Sequence, residues 1–128
     1  MIVLDTHIWI WWVHGDKRLK TSQSEIITAN ESEVIGISTI SVWEVAKLVE
    51  YNRLELSCPL SEWFKESLNY PGVRLLEITP EIAILSTQLP GEFHNDPADQ
   101  IIVATAITNR CQLITSDCKI LQYPHVFT

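Results

Sequence analysis

Asn95-Asp96-Pro97-Ala98-Asp99-Gln100-Ile101-Ile102-Val103-Ala104-Thr105-Ala106 reads as the start of a helix carrying two carboxylates in its first turn. Asp96 suits the N-cap, where a side-chain oxygen accepts from the unpaired amides of that turn. Pro97 suits the first helical position, because its fixed φ fits and its missing N–H is not needed there. Asp99 then falls at the third position, where the positive end of the helix favours an anion. Ile102, Val103 and Ala106 follow at i+3, i+4 and i+7, so Asp99 heads the stripe that enters the core. An acid in line with a buried face is either capped and tolerated or placed there for chemistry.

Working outward, short apolar runs alternate with helical periodicities. Ile2-Val3-Leu4 is a buried-strand pattern that ends at Asp5, and Thr6 to Val13 follows as a helix closed by His14-Gly15. Trp9, Trp12 and Val13 share its inner side. Lys20 to Asn30 is helical around Ile26 and Ile27, and Val34 to Ser38 is a second strand. Ser41 to Tyr51 is helical, with Val42, Val45, Ala46 and Val49 at helical spacing. Pro59 to Tyr70 forms another helix, stopped by Pro71-Gly72. Val73 to Ile78 is strand-like, and Pro80 to Leu89 is helical. After the helix that runs from Pro97 to about Asn109, Gln112 to Thr115 is a fourth strand, and Cys118 to Leu121 a short helix. His125-Val126-Phe127 reads as an added edge strand. The alternation predicts an α/β fold with a central parallel sheet flanked by helices on both faces. No linker or repeat interrupts it, so residues 1–128 are expected to form one domain.

The composition narrows the partners. With 46% hydrophobic residues in 128, the chain can bury a substantial core. Its net charge is −7, and no basic run of the kind that tracks nucleic acid appears. An anionic partner must therefore be met by bound cations or by local positive charge. Lys17, Arg18 and Lys20 form the densest basic group. Cys58, Cys111 and Cys118 are odd in number and lack metal-site spacing, and neither a leader nor a membrane span is visible. A reduced, cytoplasmic protein that does not enter a membrane is expected.

Four acids fall where an open α/β sheet binds its ligands, beyond the carboxyl ends of the strands. Asp5 and Asp117 each follow a strand directly. Glu44 lies in the first turns of the helix after the second strand, and Asp99 begins the helix that leads back to the sheet. Such a cluster is costly by itself, since two like charges ~4 Å apart repel by about 4 kcal/mol at an effective dielectric of ~20. Carboxylates with no nearby His or Cys are hard oxygen ligands that suit Mg2+ or Mn2+ over zinc, and such ions can activate water against a phosphodiester.

The blocks that carry these acids are the strand followed by Asp5-Thr6, the helix Ser41-Val42-Trp43-Glu44-Val45-Ala46, the turn Asp96-Pro97-Ala98-Asp99, and the strand followed by Ser116-Asp117. In order and spacing, along essentially the whole chain, they resemble PIN-domain ribonucleases, and most of all the VapC-type toxins of toxin–antitoxin pairs. The resemblance implies a single PIN-like domain over 1–128 and a Mg2+- or Mn2+-dependent endoribonuclease. It implies that Asp5, Glu44, Asp99 and Asp117 serve as both catalytic residues and metal ligands. It also implies an RNA substrate, a cognate antitoxin protein and a homodimer. One position departs: Gln100 stands where these toxins often carry Arg.

Each residue also has a plainer role. Asp5 alone would cap the next helix, and Glu44 could pair with Lys47 at i+3. Asp96 is fully accounted for as a cap, so with Thr6 and Ser116 it is assigned to support the site from behind. Asn95 suits an ordinary turn as well as such support. Lys47 is a candidate RNA contact, and His94 is read as a solvated loop histidine. Trp9, Trp11 and Trp12 cannot all face inward, which leaves aromatic surface for a partner. Among rival functions, a receiver domain wants paired acids after the first strand, where Asp5 is followed by Thr6. A haloacid-dehalogenase-type phosphatase wants a second Asp two residues on, where His7 stands. The remaining alternative is a PIN-like protein that binds an antitoxin or other partner without cleaving RNA.

Overall fold

The computed structural model describes all residues 1–128. Strands β1 (Ile2–Leu4), β2 (Ile35–Ser38), β3 (Val73–Leu76) and β4 (Gln112–Ile114) form one sheet in the order β3-β2-β1-β4. Every pairing is parallel, with Ile2 opposite both Ile35 and Gln112, and Leu4 opposite Ile114. The helices are α1 (Thr6–His14), α2 (Thr21–Ala29), α3 (Thr39–Glu50), α4 (Leu60–Ser67), α5 (Pro80–Thr87), α6 (Pro97–Thr108) and α7 (Cys118–Leu121).

Period-two alternation along the strands divides the core between two faces. Ile2, Leu4, Ile35, Ile37 and Ile114 point into one cluster with Ile8, Trp9, Ile27, Val45 and Trp63. Trp9 is its largest fully buried side chain, with the rings of Trp63 and Phe64 at 5.0 and 6.3 Å. Val3 and Leu113 point the other way, against Ile102, Val103 and Ala106 of α6 and against Ile120, Tyr123 and Val126. Both faces are therefore covered, as near-continuous apolar strands require.

Most boundaries follow from caps. Gly15 closes α1 at φ 61°, a left-handed conformation that only glycine adopts without cost. Helix α3 begins at Thr39, two residues earlier than its apolar pattern predicts, because Ser38 accepts the Ile40 N–H and starts the turn at the end of β2. Strand β3 stops at Leu76, short of the expected Ile78, and Thr79 then caps α5 with Pro80 in its first turn.

Two expectations fail. His125–Phe127 is not an edge strand: a single backbone bond, Leu113 N–H to Phe127 O at 2.8 Å, replaces a ladder. Pro124, just before it, has no N–H to contribute, and Val126 is buried beneath α6 and β4 instead. The tryptophans of α1 are not the exposed aromatic surface either. Trp12 is half-buried, edge-on to Tyr70 at 5.4 Å, and Trp11 is half-buried with Arg18 at 5.1 Å from its ring. Large apolar side chains are left exposed on α3 (Trp43, followed by Tyr51), along the β3–α5 side (Leu75, Ile78, Ile84), and at Leu121 and Phe127.

Candidate active site

The carboxyl ends of β1 and β4, together with α3 and the start of α6, bound a pocket of about 350 Å³ lined by Asp5, His7, Trp11, Glu44, Asp96, Asp99, Ser116 and Asp117. The four acids singled out in the sequence therefore share one cavity, although they are up to 112 positions apart in the chain. An adjoining opening brings in His94, Asn95 and Lys119. Lys47 is not part of either. It pairs with Glu50 at 2.9 Å and lies near the rings of Trp43 and Tyr51. This also disposes of a Glu44–Lys47 pair, because Glu44 accepts from the Thr6 hydroxyl instead.

Each acid is held by the element that delivers it. Asp5 is buried, with Oδ1 accepting the Thr6 N–H at the start of α1 and Oδ2 accepting the Thr115 hydroxyl, both at 2.8 Å. Thr115 Oγ1 also accepts the Asp117 N–H at 3.0 Å, so one hydroxyl ties two of the acids together. Asp117 caps α7 through Oδ1, and Asp96 caps α6 by accepting the Asp99 N–H. Thr6 supports Glu44 from behind and is hydrogen-bonded to Ser41 at 2.8 Å. Ser116 lines the pocket and accepts from Gln23 Nε2 of α2 at 3.0 Å.

The electrostatics follow from crowding in a partly buried place. Burial, then the charges of Asp5, Asp96, Asp117 and Glu44, push the Asp99 carboxyl up to about 7. Burial raises Glu44 as well, against the bond from Thr6. Burial likewise raises Asp5, against the bonds from Thr115 and Thr6. Unrelieved repulsion of this kind favours either protons or a cation.

His94, expected to be a solvated loop residue, is instead mostly buried, with Nε2 3.0 Å from Asp99 Oδ2. Its proximity to Asp99 was visible in the sequence only as a spacing of five residues. Thr115, Ser41 and Gln23 give no local signal, because their polar roles depend on contacts between distant segments.

The donor set suits a hard divalent ion in one particular way. No three acidic, histidine or cysteine side chains converge closely enough to cage a metal. Mg2+ does not require such a cage, since it keeps several waters and is bound through one or two carboxylates. An open ring of oxygen donors whose mutual repulsion such an ion would relieve is therefore compatible with it.

The PIN-domain family model matches residues 2–126, and the chain belongs to that family. It is 33% identical over 124 residues to ribonuclease VapC22 of Mycobacterium tuberculosis (strain ATCC 25618 / H37Rv), which covers 97% of this chain and 92% of the relative. Among solved structures, the fold is similar to one chain in the crystal structure of VapBC2 from Rickettsia felis bound to a DNA fragment from its promoter. The TM-score is 0.71 at 16% identity, over 99% of this chain and 96% of that one. A chain of a toxin–antitoxin complex from Klebsiella pneumoniae gives a TM-score of 0.68 at 23% identity, over 100% and 97%.

Proposed function

We propose that this protein is the toxin of a toxin–antitoxin pair, a divalent-metal-dependent endoribonuclease that hydrolyses RNA phosphodiester bonds. The observation that carries this reading is the meeting of Asp5, Glu44, Asp99 and Asp117, from four separate segments, around one pocket at the strand ends of a PIN domain. The similarity to a protein named as a ribonuclease supports the substrate class.

In this reading Asp5, Glu44, Asp99 and Asp117 hold Mg2+ or Mn2+, while Thr6, Asp96 and Ser116 support them. Once bound, such an ion lowers the pKa of a water and stabilises the charge that develops on the phosphodiester. The chain's own contribution is orientation. Asp5 cannot rotate, because both its oxygens are engaged, and Glu44 is steadied by Thr6. Asp99, whose carboxyl is pushed up to about 7, is about half protonated at neutral pH while no cation is present, and positive charge in the pocket would favour its ionised form. Because the chain carries a net charge of −7, a polyanion approaches productively only once that charge is offset locally.

The exposed apolar side chains on α3 and along β3–α5 support a homodimer and an antitoxin as the occupants of those surfaces. The three free cysteines fit a reducing cytoplasm, and no helix is long and apolar enough to cross a membrane. Residues 1–128 are assigned to one functional unit.

The deciding experiment is cleavage of unpaired RNA by antitoxin-free protein with Mg2+ or Mn2+, with and without EDTA. Cleavage that chelator abolishes is the expected result. Activity that persists in excess chelator overturns the metal assignment. No cleavage across a broad RNA pool favours the alternative of a PIN-like protein that only binds a partner.

A further inference from the structure

The segment just before α6 is tied to that helix in a way the acid cluster does not require. Gln100 Nε2 donates to the His94 carbonyl at 3.1 Å, reaching back from the first turns of the helix. Asp96 N–H points at His94 Nδ1 at 3.4 Å. The His94 ring lies 4.4 Å from that of Phe93, and Phe93 in turn lies 4.9 Å from Tyr123, so the loop is backed by the α6 core. A nitrogen that faces an N–H donor is the unprotonated one, so the neutral ring carries its hydrogen on Nε2. That nitrogen is 3.0 Å from Asp99 Oδ2, and both side chains are only about one-fifth exposed, at 20% and 19%. Nε2 is buried and off line for a full hydrogen bond, and it has no other partner. Asp99 is the one group it can serve.

We propose that His94 and Gln100 form a bracket that positions Asp99: Gln100 fixes the His94 backbone, and His94 directs its Nε2 hydrogen to one carboxylate oxygen, setting the orientation in which Asp99 meets a divalent cation. Both are positioning residues, and the inference rests on the metal-site reading above. It also gives position 100 a task that a neutral amide performs without adding a charge next to Asp99. A donor of this kind typically changes metal affinity by roughly ten- to a hundredfold when lost.

The test is direct titration of the RNA-free, full-length protein with Mn2+. His94→Ala and Gln100→Ala should each weaken binding, His94→Ala by about ten- to a hundredfold, with melting temperatures in chelator close to that of the parent. His94→Gln, whose amide nitrogen can take the place of Nε2, should restore most of the affinity. Gln100→Met, of similar length and neutral but without the donor, should behave like Gln100→Ala. If His94→Ala does not fold, the two Gln100 variants decide. Wild-type binding retained by His94→Ala or by both Gln100 variants overturns the bracket and leaves the metal site standing. So does an affinity in His94→Gln as low as in His94→Ala. Absence of Mn2+ binding by the parent chain itself overturns the metal-site reading and the bracket with it.

Discussion

The Thr115 hydroxyl donates to Asp5 Oδ2 at 2.8 Å, linking the residue that follows β4 to the residue that follows β1. The adjacency of those strands makes the contact, since Leu4 is in register with Ile114. Thr115→Val keeps the shape but leaves a buried carboxylate oxygen and the Asp117 N–H without this partner. The loss should cost about 1–3 kcal/mol of stability and reduce cleavage sharply, whereas Thr115→Ser should retain most of both. Denaturant melts and cleavage rates of the two variants check this. Equal stability for Val and Ser would remove the hydroxyl from the account.

The raised carboxyls set the direction of the pH dependence. Asp99 titrates from 3.8 in the unfolded chain up to about 7 when folded, so across that window the folded state binds more protons. In chelator, its contribution to stability is full below about 4 and is lost as pH rises through about 7. Asp5 and Glu44 shift in the same direction. Thermal melts from acid to weakly alkaline pH should therefore show a decline that is shallower in Asp99→Asn. Parallel curves for the two proteins would count against the crowding.

Metal should relieve the same repulsion at neutral pH, adding about 2.7 kcal/mol at a hundredfold excess over its dissociation constant. Asp5→Asn is sterically suited to fold: its carbonyl oxygen can keep the Thr6 cap while its amide donates to Thr115 Oγ1. Metal-free stability should be kept or raised, with the Mg2+ effect weakened and cleavage lost. Asp96→Asn should preserve the cap, the Mg2+ response and much of the activity. Melting curves of the three proteins with and without Mg2+ distinguish these patterns. A destabilised Asp5→Asn in a protein insensitive to Mg2+ would reduce Asp5 to a helix cap.

The tryptophans should divide by location. Trp9→Ala empties the middle of the larger cluster and should cost about 3–5 kcal/mol. Trp43 is 54% exposed, so Trp43→Ala should change stability by less than about 0.5 kcal/mol while weakening assembly with a partner. Sedimentation should show a dimer of the isolated chain at micromolar concentration. A strict monomer that also ignores the protein encoded beside it would remove the partner assignment.

What the sequence disclosed and what it withheld separate along physical lines. The caps Asp5 and Asp96 act on amides within three residues, so local spacing is enough to find them. The meeting of Asp5, Glu44, Asp99 and Asp117 in one pocket follows from the strand-end rule for α/β sheets. Thr115 and Gln23 escaped because they act on residues 110 and 93 positions away. His94 escaped because burial of a loop depends on what packs behind it, here Phe93 and Tyr123. The assignment of Trp12 to the core and of residues 125–127 to a strand rested on periodicity alone. That pattern cannot tell full burial from the half-burial of Trp12, or a ladder from the single bond made by Phe127.

The pairing of β1 with β4 joins residues 2–4 to residues 112–114. On the ribosome, the segment that pairs with β1 and carries Thr115 and Asp117 emerges after the other three strands of the sheet. Until it does, Asp5 has no Thr115 hydroxyl beside it and one wall of the acid pocket does not exist. The acid pocket is thus assembled only after β4 has joined the sheet, and a chain that stops short of β4 lacks both Thr115 and Asp117.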